Sequence, residues 1–214
     1  MKNLKSKINR GLAVRLKPQA EALRKVVTKG FTMIELLIVI AVLGVLAVAV
    51  LATINPIEQI NRGRDTGSRG DTEQLLSAID RYNANKGLWP WQDGATDDPA
   101  LAWTTITAAA PATPNGCAML GLLATTADPA CPGTDEIKAS FVTRLVDVKS
   151  NALYMEYGGG TGVSVYICFN PQSVAFQKQA DERCAGTPPT DYPANACGAC
   201  PVSLGRHTSC VCLP

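Results

Sequence analysis

From Leu36 to Ile54 the chain runs through nineteen residues without a charge. At 1.5 Å per residue a helix of that length covers roughly 28 Å, about the thickness of a bilayer's hydrocarbon layer. Ahead of it, Leu4, Ile8, Leu12 and Leu16 recur at spacing four among Lys and Arg, which fits either a basic surface helix or an unstructured basic leader. Beyond it the pattern turns amphipathic. Ile57, Ile60, Leu75, Ile79 and Tyr82 fall on one helical face, while Glu58, Arg62, Arg64, Asp65, Glu73, Asp80 and Arg81 are left for solvent. Pro56 predicts a kink or a second helix start at Asn55, and Gly44 marks the place where the apolar helix can bend. Gly63, Gly67 and Gly70 put small residues on one side of the second stretch, either for close packing or as local weakness. Asn85 and Gly87 cap that helix, and Pro90 cannot continue it.

Residues 88–133 read as a connecting loop anchored by Trp89, Trp91 and Trp103, with one short helical piece near Met119 to Leu123. A helix is predicted from Thr134 to Lys149, with Thr134 as N-cap, Asp135 and Glu136 in the first turn, and Ile137, Phe141, Leu145 and Val148 at helical spacing. ALYMEYGGGTGVSVYICF predicts a β-hairpin around Gly158 to Gly162, whose second strand alternates Val163, Val165, Ile167 and Phe169 with Ser164, Tyr166 and Cys168, as if half-buried. Gln172 to Arg183 predicts a short helix. Residues 184–214 hold five of the eight cysteines and five prolines, so covalent links are expected to stand in for a core. The fold class is α+β: one long N-terminal helix packed on a small antiparallel sheet, with a disulfide-rich C-terminal region. The expected segments are 1–30, 31–54, 55–87, 88–133, 134–183 and 184–214.

Charge changes this picture by giving the chain a direction. Residues 1–29 carry nine of the twenty Lys and Arg but only Glu21 of the eighteen acids, which leaves about −6 for the remainder. Basic residues ahead of an apolar span stay cytoplasmic, so the first helix is predicted N-in and C-out. The basic charge is an N-terminal address, and no specific nucleic-acid partner is inferred. All eight cysteines (Cys117, Cys131, Cys168, Cys184, Cys197, Cys200, Cys210 and Cys212) fall in the exported part, where an even count reads as a disulfide framework of unassigned connectivity.

Candidate chemistry is sparse. His207 is the only histidine and has no acid or nucleophile partner evident in sequence, so an enzyme reading has no support. Cys197, Cys200, Cys210 and Cys212 around His207 have the spacing of a zinc site, but in an exported tail disulfides are preferred and no metal or other cofactor is expected. Asp93, Asp97 and Asp98 offer carboxylates for calcium without a complete ligand pattern. The glycines from Gly158 to Gly162 lack the Lys-Ser/Thr of a phosphate loop. The misplaced residue is Glu35, an acid at the lip of the apolar run, where an ionisable side chain is a functional-site hypothesis by default.

The segment KGFTMIE at Lys29 to Glu35, followed by the apolar run and preceded by a basic leader, resembles the processing site of type IV prepilins and of the pseudopilins of type II secretion and DNA uptake. The likeness is close over residues 29–55 and looser to residue 90. It implies that a membrane prepilin peptidase and methyltransferase cuts between Gly30 and Phe31, removes residues 1–30 and methylates the new amine of Phe31. It implies a structural subunit that waits in the inner membrane among lipids and then polymerises with its own kind and other pilins, driven by an assembly ATPase and a platform protein. Four residues of helix, about 6 Å, separate Phe31 from Glu35, so Glu35 of one copy can meet the amine of the next and set register. Two departures stand out: the leader is long, and the proline frequent deep in the family's apolar helix is absent, which leaves Gly44 and Pro56 as flexible points. The competing reading is a secreted cysteine-rich protein cut by a conventional signal peptidase near Ala49, after Ala47-Val48-Ala49.

Overall fold

The computed structural model describes residues 30–94, 100–125, 128–147, 152–160, 162–200 and 207–214. The basic segment 1–29, expected as either a surface helix or an unstructured leader, lies outside the described residues, as do Asp97, Asp98 and Val148. The chain divides into two units, 1–54 and 55–214.

The first unit is helix α1, Met33–Thr53, twenty-one residues of which none is buried. It runs unbroken through Gly44, where an added Cβ would meet open space. Among the described residues it is the one helix long and apolar enough to cross a membrane. Of the kink or second start predicted at Asn55, the second start is found: Ile54 and Asn55 are both extended, and helix α2, Pro56–Lys86, starts afresh. The cause is local. Pro56 has no N–H to donate backward, and the Asn55 side chain accepts the Glu58 N–H at 3.3 Å as an N-cap. At the far end Gly87 takes the left-handed conformation (φ 70°) and its N–H donates to Asn83 O, closing α2 where the Asn-Ala-Asn-Lys-Gly sequence predicts.

The second unit is built around a four-stranded antiparallel sheet in the order β1 (Leu101–Thr105), β2 (Leu153–Tyr157), β3 (Val165–Phe169), β4 (Val211–Leu213). Leu153, Met155 and Tyr157 of β2 pair with Phe169, Ile167 and Val165 of β3, and these inward residues meet Leu75, Ile79 and Tyr82 of α2 in the main core. Short helix α3, Met119–Leu123, and helix α4, Ala139–Val146, add Met119, Leu120, Leu122, Leu123, Phe141 and Leu145 to it. Helix α5, Val174–Ala185, begins at N-cap Ser173 and buries Ala180.

Several expectations are corrected here. Residues 88–133 are more than a connection, because Leu101–Thr105 is an edge strand and α3 lies in the core; the tryptophans do pack, with Trp89 stacked on Trp91 (5.4 Å) and Trp103 on Tyr154 (5.6 Å). Helix α4 starts at Ala139 instead of near Thr134. The Thr134 N–H and hydroxyl both donate to Leu122 O and the Ile137 N–H donates to Leu123 O, so this stretch is spent on an extended contact with α3. That contact requires Gly133, where a Cβ would lie 1.7 Å from Ala124 O. Ile57 and Ile60 stand exposed, at 68% and 57%, while Asp65, expected in solvent, is fully buried. Strand β3 is buried on both faces, since Tyr166 and Cys168 form a second cluster with Tyr154, Ala196, Cys200, Cys210 and Cys212. The tail therefore contributes a strand, β4, and a small core of its own. No Cβ placed on Gly63, Gly67 or Gly70 would touch any neighbour among the described residues, so no close packing is made there by them.

Candidate functional site

Gly30 and Phe31 precede α1, with Phe31 76% exposed. Thr32 is extended (φ −78°, ψ 148°) and acts as N-cap: its Oγ1 accepts the Glu35 N–H at 3.2 Å. In return, Glu35 Oε2 accepts the Thr32 N–H at 2.8 Å and the Thr32 hydroxyl at 2.6 Å. This is a reciprocal capping box, and it satisfies backbone donors that a helix start otherwise leaves unpaired. It turns the carboxylate back onto Thr32, at the end of the helix where the macrodipole favours negative charge. Glu35 thus has a partner inside the chain that the sequence reading missed. The signal was present as Thr-x-x-Glu directly before an apolar run, the usual signature of a helix N-terminus.

The eight cysteines are all bridged: Cys117–Cys131, Cys168–Cys212, Cys184–Cys197 and Cys200–Cys210. That overturns the zinc alternative, because no thiolate is left to ligate a metal. His207 finds the acid that its sequence neighbourhood lacks: its Nε2 lies 2.7 Å from Asp181 Oδ1 of α5. Hydrogen bonds from His207 first, and Ser209 second, hold the Asp181 carboxyl below its ordinary pKa. Asp191 is lowered likewise, chiefly by the Ser164 N–H at 3.0 Å. Asp93 accepts the Asn115 N–H at 2.9 Å. These contacts pin loops, and no group of three ligating side chains forms a metal site among the described residues.

The buried Asp65 joins helix to helix. It accepts the N–H groups of Gln172 (3.0 Å) and Ser173 (2.7 Å) and the Ser173 hydroxyl (2.7 Å), so a carboxylate of α2 caps the start of α5. Two turns earlier on the same face, Glu58 Oε2 accepts the Val174 N–H at 3.2 Å.

Residues 27–51 match the family model described as the prokaryotic N-terminal methylation motif. A fimbrial protein, EcpC, of Eikenella corrodens is 35% identical over 71 residues, which is 33% of this chain and 45% of that protein. The chain thus spans under half the length of this curated relative. No solved structure matches significantly. Both matches support the type IV pilin resemblance carried by KGFTMIE.

Proposed function

We propose that this chain is a pilin-like structural subunit, held in the inner membrane by α1 with its N-terminus in the cytoplasm, and later polymerised through that helix into a type IV pilus or pseudopilus. One observation carries the reading: α1 is apolar and wholly exposed, yet its first turn holds a carboxylate that the capping box folds back onto Thr32, the residue after Phe31. An uncharged apolar helix needs only a lipid or protein surround. A charged one needs in addition an opposite charge where it is buried, and the amine released by a cut between Gly30 and Phe31 supplies it from a neighbouring copy. Prepilin peptidase and methyltransferase, an assembly ATPase and a platform protein are the partners this scheme requires.

The test has two stages. Co-expression with a prepilin peptidase should yield a mature chain beginning with N-methyl-Phe31, read by mass spectrometry; a chain starting at Val50 would instead support the conventional signal peptide. Glu35→Ala should then leave processing and insertion intact while sharply lowering the yield of filament sheared from cells. Equal yields at equal amounts of processed protein would remove Glu35 from assembly.

A further inference from the structure

Three exposed apolar side chains gather at one end of the second unit. Ile57 and Ile60 lie in the first turns of α2, at 68% and 57% exposure, and Val174, at 67%, opens α5. Single exposed isoleucines are ordinary. These are held together at some expense, since the buried Asp65 and the Glu58 carboxylate both grip the backbone at Gln172 to Val174 and keep the start of α5 beside the start of α2. Asn61 Nδ2 adds a 3.4 Å bond to Gln172 O. Bordering this cluster are Arg62 and Arg64, both exposed; Arg64 makes one long bond, 3.4 Å, to Gln172 Oε1. The acids nearby are taken, Asp65 by the three donors and Glu58 by the Val174 N–H.

What covers this surface follows from the chain itself. Ile57 is three residues past Ile54, the last of the apolar run, so it cannot lie more than about 11 Å beyond it. The headgroup layer on each side of a bilayer is roughly 5–8 Å deep, so Ile57 lies at that depth or just above it, and the Glu58 bond to the Val174 N–H keeps the start of α5 beside it. Apolar side chains beside arginines that form no ion pair among the described residues suit that layer, with the apolar groups at the acyl boundary and the guanidinium groups on phosphate. We infer that Ile57, Ile60 and Val174, flanked by Arg62 and Arg64, form a lipid-headgroup contact that seats the globular unit on the outer leaflet before assembly. The inference rests on the membrane-subunit reading above and deepens it: the unit is docked on the bilayer, and assembly must lift it off.

The experiment uses the full-length chain reconstituted into vesicles of phosphatidylcholine and phosphatidylglycerol, with a diazirine-bearing residue at position 57, 60 or 174. Position 40 within α1 and position 74, an exposed site further along α2, serve as controls. Irradiation should give phospholipid adducts at 40, 57, 60 and 174 and little at 74. Arg62→Gln with Arg64→Gln should lower the adduct yield at 174 severalfold, and omitting phosphatidylglycerol should shrink that difference. Adducts at 40 but not at 57, 60 and 174, or adducts there only to a second copy of the chain, would overturn the contact while leaving the membrane reading intact. Absence of lipid adducts at 40 would overturn the membrane reading, and this inference with it.

Discussion

Thr32 shows how much one hydroxyl can organise. Thr32→Ala removes the N-cap acceptor, a loss of about 1 kcal/mol for the first turn of α1. The Glu35 amide of the micelle-embedded chain should then exchange with deuterium about fivefold faster, while cleavage after Gly30 is unchanged. Asp65 carries a larger load. Asp65→Ala leaves two backbone N–H groups and the Ser173 hydroxyl without their acceptor, a destabilisation on the order of 3 kcal/mol. The expected fall in Tm is roughly 10 °C, and Asp65→Asn should fall between the two because one oxygen remains. Glu156 works in the opposite direction. Its Oε2 is shut off from solvent with no hydrogen-bond partner among the described residues, and burial raises its pKa above the ordinary 4.5. A raised folded-state pKa means the penalty is absent below the unfolded value of 4.5 and complete above the folded one. Glu156→Gln should therefore raise Tm at pH 7 and make no difference in melts run well below pH 4.5.

Among the elements, those specified by neighbouring residues were legible and those specified from a distance were not. The end of α2 follows from Gly87, its start from Asn55-Pro56, the piece at Met119–Leu123 from its own apolar run, and the hairpin from its glycine turn. Strand β1 escaped because LAWTT becomes a strand only by pairing with Tyr157, Met155 and Tyr154, some fifty residues on and through a bulge. The first turn expected for α4 was lost to the carbonyls of Leu122 and Leu123, which no helical periodicity reports. Asp65 was assigned to solvent by its charge, although it shares a stripe with Ser68, Thr72, Leu75, Ile79 and Tyr82, and position along the helix was the better guide. At the candidate site the methylation motif over residues 27–51 was readable, whereas the Asp181–His207 contact joins α5 to the tail and needed the fold. The tail's bridges also differ in what they hold. Cys168–Cys212 ties β3 to β4 across 44 residues and encloses the other two tail bridges, which shorten its effective loop; Cys200–Cys210 spans only 10. Replacing the first pair by serine should cost about 3 to 4 kcal/mol and bare the outer face of β3, against roughly 2.5 to 3 for Cys200–Cys210, as measured by denaturant titration.

For the whole molecule, the decisive contrast is between a first unit with no buried residue among those described and a second with two packed clusters and four bridges. Apolar surface of that extent is unsatisfied in water, so full-length protein freed of detergent should associate, while Gly44→Ala should raise helix content without relieving the association. Light scattering after detergent removal, alongside circular dichroism, reads both. The sheet order adds a matter of timing. Strand β3 can complete its hairpin with β2 early, but its other edge waits for β4, and its outer face waits for Ala196, Cys200 and Cys210. If the part after α1 crosses the bilayer in sequence order, some forty residues must follow β3 before that edge is covered. During that interval the hairpin offers a bare strand edge and a lone Cys168 to any neighbour. Crowded nascent subunits are then prone to mispair between chains, and export under thiol-oxidising catalysis becomes a condition of yield.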